Sequence, residues 1–353
     1  MIPFRIYHLI ALLESYSFKT PFPEHVKKYF EAHHSLGKKD REEIKKDAFF
    51  FLKNCLKLEK GFNVTGWKEV VLKQKACEKP VSVSDRFSVS PELYDLISSE
   101  LAENASQFLQ TLQDKAPVTL RVNTRKITAN KLIELLEPTI KIHKVDHEIC
   151  TAPDDAPLTQ TPEYQKGFFE IQDEASILAC RLVHPARGER LLDMCAGSGG
   201  KSLGIATQAS HPIHLTLHET RPRMLQEAKR RFLRNGLPLP HIFTVSEPFD
   251  WIVLDVPCSG SGTWRRHFEQ TYLFSLETLS RLIEQQRKIF NEAIRMPCQH
   301  IVYMTCSVFP SENENQAAFF CEKYSLKKEE EFISLPLKPG DRDGFYAVRF
   351  SFS

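Results

Sequence analysis

The chain has 353 residues, 42% of them hydrophobic and 26% charged, a composition that fits two or three globular domains and excludes disordered or fibrous architectures. The formal net charge is only +2 at pH 7, so bulk charge does not announce a nucleic-acid partner. Nine cysteines without any C-x-x-C pair argue against a disulfide framework or a zinc cluster, so no metal is expected; no apolar run reaches membrane-spanning length.

In chain order, residues 1–78 read as helices: "RIYHLIALLESY", "PEHVKKYFEAHH" and "KKDREEIKKDAFFFLKNCLKL" carry apolar residues at helical spacing, with Pro23 as a helix starter. "YHLIALL" lacks a basic flank and a small-residue cleavage site, so it reads as an amphipathic helix rather than a signal peptide, and the expected compartment is the cytoplasm. Residues 1–90 hold 17 Lys/Arg against 11 Asp/Glu, an excess able to attract phosphates, although a solvated helix face explains it equally well. Ser90 and Pro91 start a further helix through residue 112. "APVTLRVNTRKITANKLIELL" then reads strand, turn, helix, and "IKIHKV" a second strand, while "CTAPDDAPLTQTPEY" reads as a linker.

From residue 167 short apolar strands ("GERLLDMC", "IHLTLHE", "FDWIVLDVPC", "HIVYMTC") alternate with helical stretches, which predicts a parallel, doubly wound sheet. Ligands bind beyond the carboxyl ends of such strands. Asp193, Glu219, Asp255, Cys258 and Cys306 all fall at or just after those ends. "LLDMCAGSGGKS" is a strand, an acid, a glycine-rich turn and a helix start. Gly197, Gly199 and Gly200 would let backbone approach a ligand, and Glu219 suits ribose hydroxyls, which together suggest a nucleoside cofactor; no P-loop is present. "SENE" at 311–314 reads as a capping box with Ser311 as N-cap.

"LLDMCAGSGGK", "LDVPCSGSGTWRR", "YMTCSVFPSENENQ" and "DRDGFYAVRF", in this order, resemble the signature set of the NOL1/NOP2/Sun family of RNA cytosine-C5 methyltransferases; "TLRVNTRKITANKLIELL" and "GFFEIQDEASILA" resemble its pre-catalytic segments. The likeness runs from about residue 117 to the end, and the helical N-terminus is faintly similar to the NusB-like RNA-binding domain of bacterial Sun-type members. The resemblance implies a helical domain (1–80), a small α/β pre-catalytic domain (81–165) and a Rossmann-like, class I methyltransferase domain (166–353), within an overall α/β fold. It implies S-adenosylmethionine as cofactor, RNA as partner with rRNA foremost, and a monomer. Cys306 would be the nucleophile, Cys258 the helper in product release, Asp255 a group facing cytosine and cofactor, and Lys201 their neighbour. The cofactor would lie among Asp193, Cys195, Ala196, Gly197, Ser198, Gly199, Gly200, Lys201, Glu219 and Asp255. Arg265 and Arg266 are candidates for phosphate contact, a solvated loop charge being the equal alternative. Trp264 is expected to fill a wall, and Cys195, Cys55, Cys77, Cys150, Cys180, Cys298 and Cys321 to serve packing.

The chain departs from the family pattern at Gly197-Ser198, where Ala-Pro is usual, and at Met224, where an arginine is usual and Arg223 is the expected substitute. "HIFTVSEPFDWIV" is short for the adenine side; Asp250 is needed before the next strand, and Glu247 is the candidate acid. A tRNA methyltransferase, a catalytically weak RNA-binding assembly factor and a DNA cytosine methyltransferase are the alternatives, the last disfavoured by the second strand-end cysteine.

Overall fold

The computed structural model describes residues 2–18, 20–62, 66–73, 83–209, 211–243 and 248–352. Two compact units emerge, residues 1–115 with 264–276 and residues 116–263 with 277–353.

The first unit is helical: α1 (Phe4–Glu14), α2 (Phe22–Ala32), α3 (Lys38–Phe62), α4 (Trp67–Lys73), α5 (Val83–Phe87), α6 (Pro91–Leu101) and α7 (Ala105–Thr111). Ile44, Ala48 and Phe51 recur at helical spacing on α3 and make the unit's core with Leu12, Leu13, Phe22 and Val70. Each of these side chains apart from Ala48 stabilises the fold by roughly 1.5–3 kcal/mol. The Ser90 hydroxyl accepts from Leu93 N–H, the cap expected from Ser90-Pro91. The single helix expected from 91 to 112 breaks at Ala102, which takes a φ of +47°, into α6 and α7.

The second unit begins with β1 (Val118–Val122), α8 (Ala129–Leu136), β2 (His143–Lys144), β3 (Ile149–Ala152), α9 (Pro162–Gln165) and β4 (Phe169–Ile171), whose strands form an antiparallel sheet ordered β2-β3-β1-β4. The stretch expected to be a linker is therefore ordered. Cys150, Thr151 and Ala152 pair with Leu120, Thr119 and Val118, Leu158 enters the core, and Thr161 caps α9. Its Asp and Pro residues occupy turns between these fixed points.

There follow α10 (Glu174–Cys180), β5 (Arg190–Asp193), α11 (Gly200–Gln208), β6 (His214–Leu217), α12 (Pro222–Asn235), β7 (His241–Ile242), β8 (Trp251–Asp255), α13 (Gln270–Leu273, packed in the helical unit), α14 (Leu276–Ala293), β9 (His300–Thr305), α15 (Glu314–Tyr324), β10 (Leu326–Ser334) and β11 (Phe345–Phe352). The sheet order is β10-β11-β9-β8-β5-β6-β7, parallel from β9 to β7 and antiparallel at β11 and β10. The order reverses between β5 and β8, the switch point at which doubly wound sheets hold ligands. The charged edge strand β10, "LKKEEEFIS", has no apolar alternation to betray it; charge suits an edge that must not pair further. No described helix is long and apolar enough to cross a membrane.

Glu170 on β4 ties this small sheet to α12. Its buried carboxylate accepts from Arg231, Arg234 (2.6 Å) and Asn235 (2.6 Å). Burial opposes its ionisation, but the two guanidiniums more than offset this and hold the carboxyl below its ordinary range. Glu170→Ala leaves two largely buried cations unpaired and should lower the unfolding free energy by about 3–5 kcal/mol. Lys131→Ala, which breaks the exposed Lys131–Glu134 pair, should cost less than about 1 kcal/mol. Urea denaturation of both variants checks the contrast.

Candidate active site

The chain leaves β5 at Asp193 and re-enters helix at Gly200 through a tight turn. Gly199, with φ +73°, occupies the N-cap position of α11, where a Cβ would come within 2.9 Å of the Ala228 Cβ; only glycine allows both the left-handed backbone and this approach. Gly197 is also left-handed, φ +52°, and nothing lies within 4 Å of where its Cβ would be. Ala196 N–H donates to His218 O (3.1 Å), which fastens the turn to the end of β6. Ser198 is held as well: Arg231 Nη1 donates to its carbonyl (3.2 Å) and its hydroxyl (3.0 Å). The loop, with Gly197-Ser198 where Ala-Pro is usual, is therefore braced from α12.

Asp193, only 1% exposed, accepts from the Ser202 hydroxyl and from Cys195 N–H. It buttresses the turn. Burial lifts its carboxyl to about 6 against the Ser202 hydrogen bond, and the charge of Asp255 adds to the rise. Burial first, then Asp193, likewise raises the Cys195 thiol.

Glu219, just beyond β6, receives Arg221 in a two-pronged pair, Nε and Nη2 each at 2.9 Å. The Arg221 hydrogen bond comes first among the causes that hold its carboxyl down to about 2, and the Gly197 N–H contributes. Arg221, the residue two after the acid, reaches back to Glu219 while α12 starts at Pro222.

Across the switch point, Lys201 Nζ donates to Asp255 Oδ2 at 2.7 Å. Burial disfavours the ammonium, but Asp255 more than offsets this and keeps Lys201 above its ordinary range. Beyond the ends of β8 and β9, Cys258 Sγ and Cys306 Sγ lie 3.4 Å apart. The Cys306 hydrogen bond and burial hold the Cys258 thiol well above its ordinary range. Gly262 N–H donates to Cys306 O, and its Cα side is so close to Gly344 that a Cβ would meet Gly344 O at 2.1 Å.

One carboxylate at this site carried no sequence signal of its role. Glu312 is fully buried, with Oε1 accepting from Ser259 N–H (2.9 Å) and Gln286 Nε2 (2.9 Å), and Oε2 from the Ser259 hydroxyl (2.5 Å). The expected capping box is corrected accordingly. α15 starts at Glu314 after Asn313, and Ser311 lies in a 3-10 turn, because Asn313 is drawn inward to Thr305 and to Ser307 O (3.0 Å).

Elsewhere, Arg265 is 4% exposed within the helical unit, which removes its guanidinium from a surface that phosphate could touch, whereas Arg266 is half-buried. Trp264 is fully buried. Asp250 braces β5, accepting from Arg190 N–H (2.8 Å). Glu247 and Cys77 lie outside the described residues.

The sheet order, the glycine-rich turn after β5 and the acid after β6 define a Rossmann-like methyltransferase domain. Residues 180–344 match the family model described as 16S rRNA methyltransferase RsmB/F, in keeping with the likeness to NOL1/NOP2/Sun proteins. The chain is 31% identical over 246 residues, 65% of its length, to the ribosomal RNA small subunit methyltransferase B of Vibrio cholerae, and 29% identical over 317 residues, 81% of its length, to that of Vibrio vulnificus. It spans 56% of the first relative's length and 74% of the second's. Among solved structures, PH0851 shares 16% identity with a TM-score of 0.82 over 99% of both chains. NSun6 from Pyrococcus horikoshii with SFG shares 18% identity with a TM-score of 0.67 over 74% of this chain and 98% of that one. These two establish the fold.

Because Asp193 is protonated in the native state at a pH where the unfolded chain has released that proton, the native state binds more protons between about pH 4 and 6. Stability contributed by this residue is present below that window and is lost as pH rises through it. Asp193→Asn keeps an acceptor for Cys195 N–H and should shrink the loss between pH 4 and 7 by up to about 3 kcal/mol. Denaturant melts at the two pH values read this directly.

Proposed function

We propose that this chain is an S-adenosylmethionine-dependent methyltransferase that forms 5-methylcytosine in RNA, with small-subunit ribosomal RNA as its substrate. The observation that carries the reading is the pair of sulfurs 3.4 Å apart at the ends of adjacent parallel strands, beside the Lys201–Asp255 pair. Two thiols serving packing alone have no use for a half-buried ion pair beside them. The names of the bacterial relatives favour ribosomal RNA over tRNA.

The residues fit the cofactor. The open face of Gly197, the turn from Cys195 to Gly200 and the ionised Glu219 offer backbone and carboxylate groups to a nucleoside, with Lys201 and Asp255 adjoining. When bound, S-adenosylmethionine supplies an electrophilic methyl group. The chain's own task is to make cytosine C5 nucleophilic. The Cys306 thiolate adds to C6 and the ring becomes an enamine, with Asp255 sharing a proton at N3. After the transfer a water takes the C5 proton, and the C–H electron pair forms the C5–C6 double bond as the Cys306 thiolate leaves C6. N3 returns its shared proton to Asp255, and Cys258 assists that resolution by hydrogen-bonding the departing thiolate. Thiolate suits both ends of the sequence, since it attacks well and leaves well.

Two measurements follow from these roles. Incubated with target RNA and run on a denaturing gel, Cys258→Ala should accumulate a covalent protein–RNA band, absent for Cys306→Ala and for the double variant. The reverse pattern would make Cys258 the nucleophile. In calorimetry, Glu219→Ala should weaken S-adenosylmethionine binding by about 1–3 kcal/mol, the worth of a charge-assisted hydrogen bond. Equal affinities would move the ribose contact elsewhere, and no binding by either protein would favour an RNA-binding assembly role.

A further inference from the structure

Two sulfurs at hydrogen-bond distance share one proton when one of them ionises, and their surroundings here are unlike. On the Cys258 side lies Glu312, fully buried, fastened to the residue next to Cys258 by both the Ser259 N–H and the Ser259 hydroxyl. Gln286 closes the arrangement from α14, donating from one Nε2 to Glu312 Oε1 (2.9 Å) and to Pro257 O (3.0 Å), the residue before Cys258. Behind it, the Tyr303 hydroxyl donates to Glu312 O at 2.8 Å. A neighbouring negative charge penalises a second one, so a thiolate at Cys258 is disfavoured. On the Cys306 side lies the ammonium of Lys201, paired with Asp255 and itself favoured by the Cys306 sulfur. The charged and titratable groups around the pair are thus Glu312 and Tyr303 facing Cys258, and Lys201 with Asp255 facing Cys306.

We propose that Glu312 is a positioning residue whose buried carboxylate anchors the Cys258 loop and keeps the shared proton on Cys258, so that Cys306 Sγ is the free nucleophile. Cys258 then donates its S–H to the Cys306 thiolate. The direction in which the Cys258 thiol is displaced, with Glu312 among the causes, agrees with this arrangement. The inference rests on the reading of the two cysteines as nucleophile and helper, and it supplies what makes them unequal.

The test is the pH profile of iodoacetamide alkylation of the full chain, each cysteine followed by peptide mass spectrometry. In the wild-type protein Cys306 should be alkylated first, with Cys258 lagging. Glu312→Gln keeps the shape and removes the charge; Cys258 should then react about tenfold faster at pH 8, equivalent to an onset about one pH unit lower. Ser259→Ala keeps the charge and removes the hydroxyl's hydrogen bonds to Glu312, Ser261 and Ser307, and its Cys258 profile should stay within about twofold of wild type, since only the thiolate reacts. Cys258 reacting first in the wild-type protein, an unchanged profile in Glu312→Gln, or an equal shift in Ser259→Ala would each overturn the proposal. If Glu312→Gln does not fold, the wild-type order and the Ser259→Ala profile still decide. Alkylation needs neither RNA nor S-adenosylmethionine, so a failure here is distinguishable from a failure of the methyltransferase reading, which the covalent trapping experiment reports.

Discussion

The in-register parallel pairing of β8 with β9, Asp255 opposite Met304, is the constraint on which the site depends. Parallel strands finish on the same edge of the sheet, so the chain segments leaving them travel side by side. Cys306 follows β9 directly and Cys258 follows the Asp255-Val256-Pro257 exit from β8. Both strands are buried along nearly their whole length, so a slip in register would move apolar side chains out of a packed interior as well as separate the sulfurs. The apolar character of "WIVLD" and "HIVYMT" therefore determines where chemistry can happen.

Buried carboxylates then fix what the sheet leaves adjustable. Glu170 holds Arg231, and Arg231 in turn holds Ser198, so the turn after β5 is braced by a charge network that reaches the small antiparallel sheet. Glu312 does the equivalent for the Cys258 loop. A carboxylate removed from water is tolerated only while its donors are in place, which makes these loops costly to displace. Apolar packing, being non-directional, gives no comparable restraint on the orientation of a turn.

How much was legible in the sequence follows from the range of the interactions. Strand alternation and strand-end acids are local patterns, and they correctly located β5, β6, β8 and β9, the turn at Gly199 and the convergence of Cys258 with Cys306. Capping at Ser90 was legible for the same reason. What was missed depends on partners far along the chain. Ser311 to Glu314 satisfies the local rule for a helix start, yet long-range bonds to Ser259 and Thr305 govern it instead. The order within residues 150–164 comes from pairing with β1, which a Pro- and Asp-rich composition conceals. Arg265 is a loop arginine by sequence and a buried one by packing. The Arg221–Glu219 pair was within reach of local reasoning, since the two lie two residues apart.

The energetics also bear on whether this domain is a scaffold. An interior selected only for packing is better served by apolar residues of similar volume than by ionised groups. Here Asp193 is buried at an energetic disadvantage, Lys201 and Asp255 pair at the switch point, Glu312 is sealed beside a thiol, and two free sulfurs face each other. Each is a local departure from the most stable choice, and all of them lie at the carboxyl ends of β5 and β8, in the first turn of α11, or in the segments after β8 and β9. Departures of this kind concentrate where function opposes stability. A protein that used the fold only to hold RNA would gain stability by losing them, so their joint presence at one edge of the sheet is the physical argument for an enzyme.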